Sequence, residues 1–177
     1  IDAGVTFSES CAVQGNPDYT YVPDNNFEQA LIDLGYDTAL DDFVLTANIS
    51  GVTELNVHNQ QISDLTGIED FMALSTLYCG DNQLTSLDVS NNTGLTDLRV
   101  QINSITALDV SANTALTILS CSDNQLTSLE LSENTALNIL WCYNNALTAL
   151  DVSANTALTL LHCYENQLTY LNMKNGV

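Results

Sequence analysis

The sequence predicts an α/β solenoid with a helical cap at its N-terminal end, and a repeat carries this prediction. Five asparagines recur every 21 residues, at Asn82, Asn103, Asn124, Asn145 and Asn166. Leucines keep the same spacing over the same segment. Self-similarity at a fixed period of this length indicates a solenoid, in which each repeat buries its apolar side against its neighbours. Repeat positions that stay constant then belong to the architecture, and positions that vary are available for function.

Composition and charge exclude several classes of function. The chain has 177 residues and 45% hydrophobic content, enough for one sizeable core. No apolar run approaches the roughly 18 residues of a membrane helix, so we expect no membrane insertion. The net charge of −20, with Arg99 and Lys174 as the formal cations, argues against nucleic acid as a partner. There is no basic-then-apolar leader, so we expect any secretion signal to have been removed or to lie outside this sequence.

The cysteines follow the repeat. Four of the five occupy one column of the repeat, at Cys79, Cys121, Cys142 and Cys163. Val57 and Val100 fill the same column, which indicates a buried apolar position where free thiols act as small hydrophobes. A disulfide between neighbouring cysteines is within reach, because adjacent strands lie about 4.8 Å apart, but parallel side chains suit its dihedral angle poorly. We therefore expect reduced thiols, with Cys11 outside the column and unpaired, and no structural zinc.

The N-terminal part of the chain does not repeat. Residues 1–20 are predicted to form an extended leader, and residues 21–50 an N-terminal helical cap. Asn25 as the N-cap residue and Glu28 three positions later predict a capping box. A second helical turn is expected over residues 39–44. A solenoid needs such a terminal unit, with a polar outer face, to cover its first repeat.

Residues 51–177 form the predicted solenoid of about six repeats. The first half of each repeat reads L-x-x-L-x-(C/V)-x-x-N-x-(L/I), and the second half reads L-x-x-L-D-V-S-x-N-T. The first pattern resembles the leucine-rich repeat, and its nested 21-residue form resembles a bacterial subclass. The segment ISDLTGI, at residues 62–68, is similar to the internalin-like version. The cap sequence VPDNNFEQALIDLGYD resembles that of secreted leucine-rich-repeat proteins of Bacteroidetes.

The resemblance implies the details of the fold. It implies a right-handed superhelix of short parallel strands, a ladder of stacked asparagines that hydrogen-bonds the turning backbone, and a secreted or cell-surface location. A second ladder is predicted at Asn92, Asn113, Asn134 and Asn155. The sequence stops at Val177 inside a repeat, and the resemblance favours truncation there. A homodimer through the uncapped C-terminal end is the other expectation.

The variable positions predict a binding surface. Strand side chains alternate between the two faces, so several positions of each repeat point outward. The only tryptophan, the only arginine, both histidines and three of the seven tyrosines fall at these positions. Such residue types dominate interface hot spots. The predicted contact residues are Trp141, Tyr143, His162 and Tyr164 over an apolar floor of Ile118, Ile139 and Leu160, extended by Arg99, Tyr78, Asn144 and Glu165.

The predicted function is an extracellular or cell-surface recognition module that binds a protein or a glycan through this face. A competing interpretation is that further chain, or another copy of the protein, covers the patch. The alternative function is a structural or environmental-adaptation role such as ice binding. It rests on a regular column of threonines, at Thr85, Thr106, Thr127, Thr148 and Thr169.

Other polar residues of the repeats offer groups that could carry chemistry. One column is acidic, at Asp88, Asp109, Glu130 and Asp151. Calcium between these carboxylates would relieve their repulsion, whereas a solvated face that deters aggregation is the simpler interpretation. No ligand loop accompanies the column, so no metal and no cofactor is predicted. His162 and His58 lie on an open face without an adjacent nucleophile, so no enzymatic activity is predicted.

Overall fold

A computed structural model describes residues 18–173 as a solenoid with one short strand in each turn. Six parallel strands form one sheet in the order β3-β4-β5-β6-β7-β9. Their bounds are β3 Glu54–Asn56, β4 Thr76–Tyr78, β5 Asp97–Arg99, β6 Ile118–Ser120, β7 Ile139–Trp141 and β9 Leu160–His162. Each residue pairs with its counterpart one repeat later, as Leu77 does with Leu98. The predicted parallel-strand solenoid is thereby confirmed.

A second, smaller sheet lies in the second halves of the last repeats. Strand β8, Ala149–Asp151, pairs in parallel with β10, Tyr170–Asn172. The matching segments of earlier repeats have no strand. The sequence did not predict this sheet, because the second-half pattern is the same in repeats with and without it.

The core is built from the constant columns. The central leucine of each strand from β3 to β7 is fully buried, and so are Val57 and Val100 in the cysteine column. Cys79, Cys121 and Cys142 are buried free thiols, and Cys163 is half-buried. Burial raises the pKa of Cys79 and of Cys142 to about 12. The structure thus shows the buried thiol column that the sequence predicts, while Cys11 lies outside the described residues.

Both predicted asparagine ladders are present. In the first, the Asn103 side-chain amide donates to the carbonyls of Cys79 and Val100, each at 3.1 Å. Its Oδ1 accepts from the backbone N–H of Leu84 at 2.9 Å. The same pattern repeats at Asn124 and the later members of this ladder. These bonds satisfy backbone groups of the turn, as buried backbone polar groups require.

The second ladder lies deeper. Asn113 is fully buried, and its amide donates to the carbonyls of Val89 and Asn92 at 2.9 and 3.0 Å. Its Oδ1 is buried without a hydrogen-bond donor, and the same holds for the other three members of this ladder. Each asparagine of this column therefore donates to two buried carbonyls, while its own Oδ1 is left without a donor.

The N-terminal segment packs on the first repeat. Its elements are β1 Tyr19–Tyr21, α1 Asn25–Asp33, β2 Phe43–Leu45 and the short helix α2 Thr46–Ile49, with β1 and β2 antiparallel. Helix α1 buries Phe27 and Leu31, and the Phe27 ring stacks on Phe71 of the first repeat at 6.4 Å. No helix within residues 18–173 has the length and apolar character needed to cross a membrane.

Two local predictions for this segment were wrong. The N-cap residue of α1 is Asp24 rather than Asn25, because the extended Asp24 accepts from two backbone N–H groups of the first turn. Residues 39–44 form no helical turn, since Phe43 and Val44 pair with β1. The division into leader, cap and solenoid stays a prediction, and residues 1–17 and 174–177 lie outside the described chain.

Candidate functional site

The outward side chains of the six-stranded sheet, with the residues that directly follow each strand, form a surface that we call the strand face. In β7 the fully buried Leu140 points into the core, whereas Ile139 and Trp141 on either side are only half-buried. This alternation follows from the pleat of a strand. The strict register then places equivalent residues of successive turns side by side.

Four side chains that the sequence predicts as contacts lie together in what we call the aromatic cluster: Trp141, Tyr143, His162 and Tyr164. The Tyr143 and Tyr164 rings stack in parallel, with centroids 4.7 Å apart and an interplanar angle of 4°. The His162 ring lies 6.0 Å from the Tyr164 ring, and Trp141 is the register partner of His162. Tyr164 remains 54% exposed. The cluster therefore presents aromatic surface to solvent in a fixed arrangement.

An apolar stripe borders the cluster and consists of Ile118, Ile139 and Leu160. These residues are register partners on three adjacent strands, and each is half-buried. Because Ile139 and Trp141 point outward from the same strand, stripe and cluster form one continuous surface. The structure thus brings together seven of the predicted contact residues.

Arg99 and Tyr78 form a separate charged cluster with Asp97. The Arg99 guanidinium donates to both oxygens of Asp97, at 3.0 and 2.9 Å, and lies 4.7 Å above the centre of the Tyr78 ring. The Tyr78 hydroxyl donates to Asp97 at 3.2 Å. The hydrogen bonds that Arg99 donates to Asp97 raise the pKa of Arg99, and burial together with the Asp97 charge raises the pKa of Tyr78. Arg99 is therefore held and neutralised within the protein before any ligand arrives.

Strand β6 separates the two clusters with small side chains. Ser120 and Ser122 are only 6% and 1% exposed, although their positions predict outward-pointing residues. Gly80 is buried for a related reason: a Cβ there would lie 2.6 Å from the side-chain nitrogen of Gln101. Gln101 covers Gly80, and all three positions are buried, so a ligand does not reach them directly.

Asn144 and Glu165, also predicted as contacts, lie in the turn that follows the strand. Their φ angles are 51° and 52°, in the left-handed region. The same position is left-handed in every earlier repeat, at Asn59, Asp81, Ile102 and Asp123. Turn geometry therefore governs this column, which explains its Asn and Asp content. As ligand contacts, Asn144 and Glu165 stay predictions.

The acidic column serves the turns of the second halves. Asp88, Asp109 and Asp151 each accept a hydrogen bond at 2.9 Å from the backbone N–H of the serine two residues later. Hydrogen bonds from these serines lower the pKa of each of the three carboxyls. This arrangement supports the interpretation as a solvated face. The threonine column is exposed at all five positions, and its proposed link to ice stays a prediction.

Sequence reasoning missed two groups of residues. Asp97 holds Arg99, and the signal for this pair was the D-x-R spacing, which places both side chains on one side of a strand. The other group is Glu28, Asp37 and Asp41, which is the one set of acidic, histidine or cysteine side chains within residues 18–173 that converges closely enough to hold a metal ion.

Comparisons with known proteins point to one group. The chain is 40% identical over 73 residues to Internalin J of Listeria monocytogenes serotype 4b (strain F2365). It also resembles the solved functional domain of InlJ from Listeria monocytogenes, described as including a cysteine ladder, with a TM-score of 0.80 and 38% identity over 88% of this chain. The internalin InlF of the same species shows the same fold, with a TM-score of 0.78 and 24% identity over 84% of this chain. No protein-family model matches the chain.

The chain spans only part of each relative. It covers 8% of Internalin J, 35% of the InlJ domain and 45% of the InlF chain. The cysteine ladder named for InlJ has a counterpart here in the column of Cys79, Cys121, Cys142 and Cys163, of which the first three are buried and the last is half-buried.

Proposed function

Because this chain is an internalin-like bacterial leucine-rich-repeat protein, we propose that it is a recognition module that binds a protein ligand through its strand face. We place the aromatic cluster and the apolar stripe at the centre of that contact. We further propose that the module acts outside the cell or at the cell surface, as the resemblance to internalins suggests, and that it has no enzymatic activity.

The single observation that carries the proposal is the parallel stack of Tyr143 on Tyr164. Two large rings, held 4.7 Å apart on adjacent turns, leave half of Tyr164 exposed. Association normally requires side chains to lose rotamer freedom, which opposes binding. Here the stack has already removed much of that freedom, so the rings are suited to serve as contact residues.

The rest of the surface has the composition of an interface. The apolar stripe supplies half-exposed branched side chains beside the aromatic rings, and exposed apolar patches of a few hundred Å² mark interaction sites. The charged cluster lies at the other side of β6, where charged groups affect orientation and association rate more than affinity. Asp97 already neutralises Arg99. We therefore propose that the aromatic cluster provides most of the affinity for the ligand and that the charged cluster orients the ligand as it binds.

The geometry also argues against catalysis. His58 and His162 are exposed on an open surface. The cysteine thiols within residues 18–173 are buried or half-buried in the core, and burial raises their pKa, which opposes nucleophilic use. A glycan remains an alternative ligand class, since stacked aromatic rings also suit sugars.

Substitution of the aromatic cluster tests the proposal. Surface proteins that bind the immobilised chain are first captured and identified. One such protein is then purified as the ligand, and calorimetry measures its affinity for the unsubstituted chain, for Trp141→Ala and for Tyr164→Ala. We expect each substitution to weaken binding at least tenfold, about 1.4 kcal/mol, while Thr127→Ala in the exposed threonine column leaves affinity unchanged. A glycan array, screened in parallel, decides between the two ligand classes. Affinities that are equal in all four proteins would show that the strand face is not the binding surface.

A further inference from the structure

Three carboxylates converge in the N-terminal segment, away from the strand face. Glu28 lies on α1, and Asp37 and Asp41 lie in the loop between α1 and β2. One ligand oxygen of each lies within 4.8 Å of the other two. Glu28 is fully buried, which is rare for a glutamate that has no cationic partner.

The hydrogen bonds at this place are incomplete. Glu28 Oε1 accepts from the backbone N–H groups of Asp41 and Phe43, at 2.8 and 3.1 Å. Glu28 Oε2 is buried and has no donor, and the same is true of Asp37 Oδ2. A buried acceptor without a donor is costly, and a charged one more so. Two such oxygens in one cluster of acids indicate that a ligand supplies what the protein does not.

No side chain neutralises this negative charge. Within residues 18–173 the one lysine or arginine is Arg99, and it forms an ion pair with Asp97. Burial is the largest cause that raises the pKa of Glu28 and of Asp37, and the neighbouring carboxylates add to it. Binding of a cation would favour the ionised form of all three acids.

We propose that Glu28, Asp37 and Asp41 bind a calcium ion that joins the loop after α1 to the helix. Calcium takes six to eight oxygen ligands at roughly 2.3–2.6 Å, so two oxygens on one ion lie at most about 5 Å apart. The ligand oxygens all lie within 4.8 Å of one another, inside this limit. A set of carboxylates without histidine or cysteine disfavours zinc and other transition metals. Magnesium, which holds its waters, suits a buried glutamate less well.

The acidic column of the second halves provides a matched comparison. Like the three acids of the proposed site, Asp88 is a carboxylate with acidic neighbours. Its Oδ1, however, accepts a hydrogen bond from the backbone N–H of Ser90. Asp88 is exposed, whereas Glu28 is fully buried. Calcium binding should therefore depend on Glu28 and Asp37 and be indifferent to Asp88.

Thermal unfolding of the full chain, first stripped with EDTA and then supplied with calcium chloride, tests this site. We expect calcium to raise the melting temperature of the unsubstituted protein, because a ligand that binds only the folded state stabilises it. Titration calorimetry should find one ion for each chain, with affinity at least tenfold weaker in Asp37→Asn and in Glu28→Gln. Asp88→Asn should behave as the unsubstituted protein does.

Asp37→Asn keeps the test decisive if Glu28→Gln does not fold, because Asp37 is only half-buried. Tyr36, adjacent to Asp37, provides a second readout as a sensitiser of bound terbium. Terbium emission should fall on addition of calcium and should be reduced by Tyr36→Phe. The proposal is overturned if calcium leaves the melting temperature unchanged, or if Asp37→Asn shows the same shift and affinity as the unsubstituted protein.

Discussion

Two regions of this solenoid follow opposite rules. The repeat frame, by which we mean the leucine, cysteine and asparagine columns, uses nearly the same residue types in every turn and makes the same contacts from one turn to the next. The strand face changes from turn to turn: Arg99, Ser120 and Trp141 are register partners. In a repeat protein, stability arises from the interfaces between neighbouring turns. Substitutions in the frame should therefore change stability, and substitutions on the strand face should change ligand binding.

The largest expected effect is in the frame. Asn113→Ala removes two hydrogen bonds and leaves the buried carbonyls of Val89 and Asn92 without those donors. Each carbonyl keeps one backbone donor, the N–H of Asn92 and of Leu95 respectively, so each lost bond costs about 0.5–1.5 kcal/mol and we expect the free energy of unfolding to fall by roughly 1–3 kcal/mol. Urea unfolding followed by circular dichroism measures this change.

Trp141→Ala is the counterpart on the strand face. The Trp141 side chain is half-buried and has no hydrogen bond to the frame among those described, and its backbone carbonyl keeps the bond from the Cys121 N–H in the variant. Trp141→Ala should therefore lower the free energy of unfolding less than Asn113→Ala does. Equal losses in the two variants would contradict the separation between frame and face.

The next effect concerns the thiol column at alkaline pH. The pKa of Cys142 is about 12 in the folded protein against an ordinary 9.0, because burial disfavours the thiolate. The folded state therefore holds the proton more tightly than the unfolded chain does. Stability is fully present below pH 9 and falls as the pH rises from 9 towards 12, by about 1.4 kcal/mol for each pH unit and thiol.

Cys142→Val isolates this contribution, because valine occupies the same column at Val57 and Val100. Between pH 9 and one unit above it, the variant should lose about 1 kcal/mol less stability than the unsubstituted protein, because the unfolded thiol is only half ionised at its own pKa. Chemical unfolding at the two pH values under reducing conditions measures the difference. A variant with an unchanged pH dependence would show that Cys142 does not titrate in this way.

The sequence predicted the repeat frame well because the period provides an internal alignment. Asn103 and Asn113 were recognised as members of two ladders, and the buried cysteine column followed from Val57 and Val100. The frame depends on residues one turn apart, so the same contact is encoded several times in the chain. Repetition made these contacts predictable.

Contacts that occur once were not predictable. Glu28 meets Phe43, 15 residues later, in a segment without a repeat, and the local spacing suggested a capping box instead. The pairing of Asp97 with Arg99 and the cover over Gly80 depend on which side chains happen to be neighbours on the face. Such contacts depend on single side-chain conformations rather than on a period, and only the three-dimensional arrangement shows them.

Ile102 lies where frame and face meet. Its φ of 56° places it in the left-handed region, at the turn position that Asp81 and Asp123 occupy in the neighbouring repeats. Aspartate and asparagine tolerate this conformation, whereas it is strained for a β-branched residue, by about 1–2 kcal/mol. Ile102 is also 49% exposed, so burial offsets little of that strain. Ile102→Asn should therefore raise the free energy of unfolding by about 1 kcal/mol, measured by urea unfolding against Asp123→Ile, which should lower it by a similar amount.

The same variant decides to which region Ile102 belongs. Strained residues persist where function requires them, and an exposed isoleucine next to the strand face is suited to contact a ligand. If Ile102 belongs to the face, Ile102→Asn raises stability and weakens ligand binding, so the two measurements move in opposite directions. If stability rises while affinity stays constant, the turn position belongs to the frame alone, and the face ends at the residue before it. A loss of stability would contradict the strain itself, because it would mean that Ile102 contributes to packing more than its exposure allows.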